Sequence, residues 1–342
     1  MITAQELRGV MAMVPAFATP DADSLDATST IDVDNLAAGV DRIIKDGVPV
    51  VATTGSFGEC YNLFWDEFKL LAATTVEVVN KRVPVIIGAT SPNPREVVQR
   101  LKFIRDIGAD GTLLGLPYYD PVSAEYIGEF YTQIAGRFPE LGILIYHNPV
   151  NHKTTIPVSA FHKIVQSPNI VGMKDGHRHS TLAFSEIQRI TRGRISFFVN
   201  QTQLYPYVQL GAAGCWSSNV FMGPWPVLYL WDLVEQGRHE EALEVSFEIR
   251  GPRGGRKKSG SAGRGDSLEH EKKTGRPDLA DRGGTLLHKF AGYVDPGPTR
   301  TPVLQPTEEV VADIKARAEY WVALCDKYRP LVEARRAEGA KV

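Results

Sequence analysis

Eight short apolar runs alternate with amphipathic helical patterns along this chain of 342 residues, and the alternation predicts an α/β protein built as a (β/α)8 (TIM) barrel. Most of the runs are continuously apolar, which is typical of parallel strands buried on both faces. The strand signals stop after Phe221 and helical patterns follow, so we also expect a helical C-terminal extension. A doubly wound open sheet is the alternative, because strand order cannot be deduced from one sequence.

The eight predicted strands and the helices between them follow in chain order. The strands are residues 11–18, 49–54, 83–90, 111–116, 142–146, 170–174, 195–200 and 214–219. One helix has a well-marked start, with Asn93 as the N-cap and Pro94 at the first helical position. The apolar stripe of this helix consists of Val97, Val98, Leu101 and Ile104. A second helix has a stripe of Tyr126, Ile127, Phe130, Tyr131 and Ile134, and a third has one of Phe68, Leu71, Ala72, Val76 and Val79.

The domain organisation that we predict is a catalytic barrel over residues 1–225 and an extension over residues 226–342. The extension contains two predicted helices, over 227–249 and 308–328. Between them, residues 250–284 are rich in Gly, Lys and Arg and poor in large apolar residues, so we expect a disordered basic insert. A tether for RNA or another polyanion and a local reading-frame disturbance are the alternatives.

Composition and charge exclude several classes of protein. Lys+Arg 38 against Asp+Glu 40 gives a net charge of -2, which favours neither a nucleic acid nor an anionic membrane as a partner. No apolar run approaches the roughly 20 residues of a membrane helix, and the first ten residues do not resemble a signal peptide. The three cysteines, Cys60, Cys215 and Cys325, are too scattered for a disulfide framework or a zinc site. We therefore expect a cytoplasmic enzyme.

Lys174 is the most informative single residue, because it interrupts an apolar strand where an ammonium would be costly to bury. Burial favours the neutral amine, which can attack a carbonyl carbon and form a Schiff base. A lysine at a strand end, or one paired with Asp175, is the alternative. Tyr146 precedes Lys174 by one βα unit, so the two are expected on adjacent strands, where a phenol can relay protons. An ordinary core tyrosine is the alternative for Tyr146.

The loop at residues 55–59, GSFGE, follows the second strand and predicts a small carboxylate site. Backbone N–H groups of a Gly-rich turn, together with the hydroxyl of Ser56, can hold an anion. No Lys-Ser/Thr pair follows the glycines, which excludes a nucleotide P-loop. A tight βα turn that needs glycine only for its backbone angles is the alternative. Cys60 has no histidine partner that could be placed beside it, so we interpret it as a packed thiol.

These motifs together resemble the pyruvate-dependent class I aldolases, the family of dihydrodipicolinate synthase and N-acetylneuraminate lyase. The resemblance covers roughly residues 11–225. It rests on GSFGE, on YHNP after the fifth strand and on GMKDG in the sixth. It implies a Schiff base on Lys174, Tyr146 as proton relay, and a keto-acid carboxylate held by Ser56 and the backbone of Phe57. It also implies a homotetramer and assigns Tyr119, in PYYD, to a second tyrosine of the site.

Two departures argue against dihydrodipicolinate synthesis. Asn151 stands where the synthases carry an arginine for a second carboxylate, and Phe57 replaces a threonine of their hydroxyl relay. The sequence is more similar to the hydratase-aldolases of polycyclic aromatic degradation. That similarity includes the loop Gly-x-Phe-Gly-Glu-Cys, the Trp-Ser-Ser run of the eighth strand, and Gly-Pro-x-Arg-x-Pro at residues 297–302.

The resulting functional hypothesis is cleavage of an arylidene pyruvate, an aromatic 2-keto acid, without metal, nicotinamide or flavin, because the iminium is the electron sink. Lys174, Tyr146 and Asn148 are the expected catalytic residues. The expected substrate-binding residues are Gly55, Ser56, Phe57, Glu59, Tyr119, Trp216 and Ser217.

The substrate preference predicted from the sequence is trans-2'-carboxybenzalpyruvate, because His177, Arg178 and His179 could recognise an ortho-carboxylate. The hydroxy analogue, trans-o-hydroxybenzylidenepyruvate, and another lyase or synthase of the same family are the alternatives. Rivals from other classes are a metal-dependent enzyme built on His177 and His179, and a non-catalytic barrel that binds polyanions.

Overall fold

The computed structural model describes residues 1–176, 178, 180–251, 285–300 and 306–339. Eight parallel strands pair in sequence order and close into a barrel, because β8 also pairs with β1. The predicted (β/α)8 barrel is therefore confirmed, and the doubly wound sheet is wrong. The strands are β1 (Gly9–Met13), β2 (Val50–Thr53), β3 (Val85–Gly88), β4 (Gly111–Gly115), β5 (Gly142–His147), β6 (Ile170–Asp175), β7 (Ser196–Asn200) and β8 (Gly214–Ser217).

Twelve α-helices lie within the described residues. They are α1 (Val33–Lys45), α2 (Trp65–Val79), α3 (Pro94–Asp106), α4 (Ala124–Arg137), α5 (Pro149–His152), α6 (Phe161–Ile164), α7 (Thr181–Thr191), α8 (Leu204–Val208), α9 (Trp225–Glu235), α10 (His239–Arg250), α11 (Leu286–Ala291) and α12 (Glu308–Gly339). The predicted start of α3 is confirmed, since the Asn93 side chain accepts a hydrogen bond from the backbone N–H of Arg95. None of these described helices has the length and apolar character that crossing a lipid bilayer requires.

The structure differs most from the prediction at three elements, besides shifts of one or two residues at the ends of other strands. The first strand ends at Met13 and not at residue 18, because Pro15 has no N–H for the ladder and Phe17 has a positive φ of 31°. The single helix predicted over 227–249 is two helices, α9 and α10, with Gly237 at a φ of 68° between them. The last helix continues past residue 328 to Gly339.

The chain divides into two compact units. Unit 1 comprises residues 1–15 and 49–217 and contains the whole barrel. Its interior is filled by buried side chains of the strands, including Met11, Ala52, Leu113, Leu144 and Phe198. The inward side chains near the carboxyl ends of β5, β6 and β8 include Tyr146, Lys174 and Trp216.

Unit 2 comprises residues 16–48 and 218–342. Within it α12 packs against α9 and α11, and α9 packs against α10. Arg300 is buried and donates hydrogen bonds to the hydroxyl and carbonyl of Thr30, at 2.6 and 2.7 Å. The arginine of the Gly-Pro-x-Arg-x-Pro motif thus has a structural role in this unit. The end of that motif and residues 252–284 of the predicted insert lie outside the described residues, and the domain boundary at residue 225 stays a prediction.

Candidate active site

Lys174 lies on β6 directly opposite Tyr146 on β5, since the two residues are register partners in the parallel ladder. Only 4% of Lys174 is exposed. Its Nζ lies 3.7 Å from the ring centroid of Trp216 and 4.3 Å from that of Tyr146. The predicted proximity of the lysine and the tyrosine is confirmed, and the structure adds an indole as a second ring next to the amine.

The hydroxyl of Ser56 is the centre of a polar cluster beside this amine. Tyr146 Oη donates to Ser56 Oγ at 3.0 Å, and the amide of Asn151 donates to the same oxygen at 2.9 Å. The amide of Asn148 donates to Tyr146 Oη at 3.0 Å. Three neighbouring residues at and just after the end of β5 and the distant Ser56 therefore bring together a phenol, two amides and an alcohol. Such neutral donors can hold a carboxylate and relay protons.

Asn151 belongs to this cluster, although the sequence indicated it only as a replacement for an arginine. The short helix α5 brings it there. Asn148 is the N-cap of α5, and its Oδ1 accepts from the backbone N–H of Asn151 while its Nδ2 reaches Tyr146. The N-cap spacing Asn-x-x-Asn after a strand was the signal in the sequence that could have identified this arrangement.

The loop that carries Ser56 is held close to the strand before it. A Cβ added at Gly58 would lie 2.6 Å from the backbone nitrogen of Thr54, so this position requires glycine for close approach. Neither Gly55 nor Gly58 has a positive φ, whereas Thr54 and Glu59 both have a φ of 49°. The alternative considered from the sequence was a tight turn that needs glycine only for its backbone angles. That alternative does not describe this turn. Glu59 is buried at the end of the loop.

An apolar wall borders the polar cluster. Phe57 is half-buried and packs on the core group that includes Met13, Leu113 and Trp216. A Cβ at Gly55 would touch Met13, Leu113 and the ring of Tyr146. The site therefore has a polar side at Ser56 and an apolar side at Phe57 and Trp216. That division suits a ligand with a carboxylate at one end and an aromatic ring at the other.

Two further predicted binding residues have different surroundings. The hydroxyl of Ser217 donates to the side-chain oxygen of Gln201 within the barrel. The side chain of Tyr119 is 78% exposed, and its backbone oxygen accepts a hydrogen bond from Lys153 at 3.0 Å. The tyrosine that turns inward is its neighbour Tyr118, which stacks on His152 with ring centroids 6.3 Å apart.

His152, which the sequence analysis did not single out, packs against the edge of the Tyr146 ring at a centroid distance of 5.0 Å. It is 4% exposed, and burial lowers its pKa to about 3. His152 is therefore neutral near pH 7 and acts as an aromatic support for Tyr146. Gly115 on β4 makes room for it, since a Cβ there would lie 2.2 Å from its Cε1 atom.

Asp175 and Arg178 lie outside the amine pocket and bind each other. Burial favours a raised pKa for Asp175, but contacts with His147 and Arg178 lower it to about 2. Arg178 Nε donates to Asp175 Oδ2 at 2.9 Å, and another guanidinium nitrogen donates to the backbone oxygen of Ile156. Pairing with Asp175 was the alternative for Lys174, and the structure shows that this carboxylate pairs with Arg178. His177 and His179, on which the metal hypothesis rested, lie outside the described residues.

Cys60 is buried, and burial raises the pKa of its thiol to about 11. A thiol with this pKa holds its proton near pH 7, which agrees with the interpretation of Cys60 as a packed residue. Within the described residues, no three His, Cys, Asp or Glu side chains are grouped so that they could hold a metal ion.

Comparison with known proteins identifies a family and individual relatives that this chain resembles. The sequence profile of the dihydrodipicolinate synthetase family matches residues 12–250. The trans-O-hydroxybenzylidenepyruvate hydratase-aldolase of Pseudomonas putida is 29% identical over 334 residues, 96% of each chain. The trans-2'-carboxybenzalpyruvate hydratase-aldolase of Nocardioides sp. (strain KP7) is 27% identical over 252 residues, 72% of this chain and 76% of the relative.

Two solved structures resemble this chain over almost its whole length. The structure described as PhdJ bound to substrate intermediate superposes with a TM-score of 0.84 at 29% identity, over 96% of this chain and 99% of that one. The 4-hydroxy-tetrahydrodipicolinate synthase of Methylacidiphilum fumariolicum SolV reaches 0.79 at 22% identity, over 95% and 99%. The second likeness shows the fold alone.

Proposed function

This chain belongs to the dihydrodipicolinate synthetase family as a carbon–carbon lyase, and we propose that it is a Schiff-base hydratase-aldolase that cleaves an arylidene pyruvate. The observation that carries the proposal is the position of Lys174 Nζ. It lies 4.3 Å from the ring centroid of Tyr146, which bonds to Ser56 of the polar cluster, and 3.7 Å from that of Trp216 in the apolar wall. A 2-keto acid with an aryl group fits both sides of this pocket.

The first step is condensation. The neutral amine of Lys174 attacks the 2-keto carbon, and the resulting carbinolamine loses water to form an iminium. Tyr146 Oη transfers the protons of this step, because it is connected to Ser56 and Asn148 by hydrogen bonds. The substrate carboxylate binds to the hydroxyl of Ser56 and the amides of Asn148 and Asn151, and displaces hydrogen bonds that these groups make with one another.

Hydration and cleavage follow. The iminium withdraws electrons from the conjugated alkene, water adds its oxygen to the benzylic carbon, and a proton is added to the adjacent carbon. The bond between these two carbons then breaks, the new hydroxyl loses its proton, and an aromatic aldehyde leaves. The electron pair remains as a pyruvate enamine, which is protonated and hydrolysed to pyruvate and free Lys174. Phe57 and Trp216 face the aryl group throughout.

Reduction of the imine tests this mechanism. Borohydride added with pyruvate is expected to attach a reduced pyruvate to Lys174, detected by peptide mass spectrometry, and a chelator is expected to leave the reaction unchanged. Lys174→Ala should give no adduct. The matched control Lys153→Ala, which removes a lysine that contacts the Tyr119 backbone, should keep it. An unmodified Lys174 peptide in the wild-type enzyme would overturn the proposal.

The ring substituent is the second part of the proposal. The carboxylate preference depended on His177, Arg178 and His179 together. Of these, the Arg178 guanidinium is bound to Asp175 and to the backbone of Ile156. We therefore favour a neutral ortho substituent, as in trans-o-hydroxybenzylidenepyruvate, over trans-2'-carboxybenzalpyruvate. The expected result is a higher kcat/KM for the phenolic substrate. A higher kcat/KM for the carboxylated substrate would restore the preference predicted from the sequence.

A further inference from the structure

A buried ionic network lies on the outer face of β5 and β6, behind the residues that face the pocket. Successive residues of a strand point to opposite faces, so His147 and Asp175 point outward where Tyr146 and Lys174 point inward. His147 Nδ1 lies 2.7 Å from Asp175 Oδ1, and Arg178 Nε lies 2.9 Å from Asp175 Oδ2. The exposed side-chain fractions are 0%, 1% and 7% for His147, Asp175 and Arg178. We refer to these three residues as the outer clamp.

The hydrogen bonds assign the proton of His147. Its Nε2 accepts from the backbone N–H of Ile156 at 3.3 Å, so Nε2 carries a lone pair and the proton lies on Nδ1, which donates to Asp175. Arg178 donates to the backbone oxygen of the same Ile156 at 3.1 Å. Both backbone groups of Ile156 are thus bound, and the clamp joins β5, β6 and the segment after α5.

The register of β5 against β6 explains why such a clamp matters here. The ladder shifts between Ile143 and Leu144, so that Ile143 pairs with Ile170 but Leu144 pairs with Gly172. A slip by one residue reverses which side chains face the core. After this irregularity His147 pairs with Asp175 and Tyr146 pairs with Lys174, so the side-chain contact between His147 and Asp175 belongs to the register in which Lys174 is opposite Tyr146.

The charge of the clamp matters as well. A buried carboxylate next to Lys174 in the chain would favour the ammonium form of the lysine, which cannot attack a carbonyl. Arg178 compensates this charge at hydrogen-bond distance from the carboxylate. The network therefore supports the outer face of β6 by hydrogen bonds, and the charge of Asp175 in it is compensated by that of Arg178.

We propose that the outer clamp is a positioning device for Lys174, which holds the amine opposite Tyr146 and limits the effect of the Asp175 charge on it. This inference rests on the Schiff-base role proposed for Lys174. His147, Asp175 and Arg178 touch neither substrate nor reacting atoms, so they act through the position of β6. A displacement of about 1 Å in such a group can cost on the order of 100-fold in rate.

The test measures the rate of imine formation, by borohydride trapping at saturating pyruvate, in folded variants. His147→Leu and Asp175→Asn should trap at least about tenfold more slowly than the wild type, with KM for the keto acid changed less than about threefold. His147→Asn keeps a donor near the position of Nδ1 and should restore most of the rate. Asp175→Asn changes almost no volume and carries the same expectation if His147→Leu does not fold.

The matched control is Tyr131→Phe. It removes a buried hydrogen bond from the Tyr131 hydroxyl to the Leu114 oxygen on the neighbouring strand β4, and should lower thermal stability without slowing trapping. A His147→Leu or Asp175→Asn enzyme that traps at the wild-type rate would overturn the clamp alone. A His147→Asn enzyme as slow as His147→Leu would also overturn it. A wild-type enzyme without an adduct would overturn the proposed function, and the clamp with it.

Discussion

At the scale of single residues, the amine of Lys174 is notable for its neighbours. Only 4% of Lys174 is exposed, and its Nζ lies over the rings of Trp216 and Tyr146. Ring faces attract a cation, but they do not replace the water it loses on burial as a carboxylate would. The pocket is therefore suited to an amine that changes between charged, neutral and imine forms during a reaction.

Removing the hydroxyl of Tyr146 distinguishes a role in proton transfer from a role in substrate binding. Tyr146→Phe should lower kcat by about 10²–10⁴-fold with a smaller change in KM, because the group that transfers protons is lost while the ring remains. Ser56→Ala should mainly raise KM, since Ser56 is the centre of the proposed carboxylate site. Steady-state kinetics with an arylidene pyruvate measures both.

Tyr320→Phe is the control for this pair. Its hydroxyl donates to the backbone oxygen of Glu248 in unit 2, so its loss should leave both constants unchanged. If Tyr146→Phe raised KM and kept kcat, its hydroxyl would bind substrate without transferring protons.

At the scale of elements, the short helix α5 determines the pocket. Asn148 at its N-cap reaches Tyr146, Asn151 reaches Ser56, and His152 at its end supports the Tyr146 ring. The N-cap and the helix therefore supply one amide and one aromatic ring to Tyr146, and a second amide to the Ser56 hydroxyl bonded to it. The helix lies close to β4 only because Gly115 has no side chain.

Gly115→Ala tests this packing. The new methyl would lie 2.2 Å from His152 Cε1, and the ring cannot move freely because it is buried between Tyr146 and Tyr118. We expect a loss of about 1–3 kcal/mol in the free energy of unfolding, measured by urea denaturation, together with slower imine trapping. In the double variant Gly115→Ala/His152→Ala the two losses should be less than additive.

Gly136→Ala is the matched control, because a Cβ at this position on α4 would meet no heavy atom within 4 Å. It should be neutral or slightly stabilising, as alanine is preferred to glycine in a helix. A Gly115→Ala enzyme as stable and active as this control would show that α5 does not depend on the glycine.

At the scale of the whole molecule, buried titratable groups predict loss of stability in acid. Burial lowers the pKa of His152 to about 3 and that of His288, in unit 2, to about 4. Between these values and the unfolded value near 6.5, the unfolded chain binds protons that the native state excludes, so stability falls as the pH falls. Asp175, with its lowered pKa of about 2, adds a further loss only below about pH 4.

Urea unfolding at pH 7.5 and pH 5 measures the histidine contribution. His152 alone should cost about 2 kcal/mol at pH 5, and His152→Phe should remove that part of the difference between the two pH values. His239→Gln is the control, because this residue is exposed on α10. An unchanged pH difference in His152→Phe would show that His152 can accept a proton in the native enzyme.

Local patterns in the sequence determined the barrel, its helices and the central pair of the site. Continuous apolar runs identify buried parallel strands, and their number and spacing indicate a barrel, because both depend on neighbouring residues in the chain. Lys174 and Tyr146 could be found in the same way, since each is a polar group in an apolar strand with one βα unit between them. The early end of β1 was missed, although Pro15 is visible in the sequence, because the apolar pattern continues past it.

Only the tertiary structure decided which side chains of different segments contact each other. It showed that Asn151 reaches Ser56 across 95 positions of sequence, that Arg178 is bound to Asp175, and that Gly115 makes room for His152. Each of these depends on strand register and on close packing, which one sequence does not specify. The sequence by itself thus identified the residues that we propose to carry the chemistry, and the packing of the barrel decided which groups surround them.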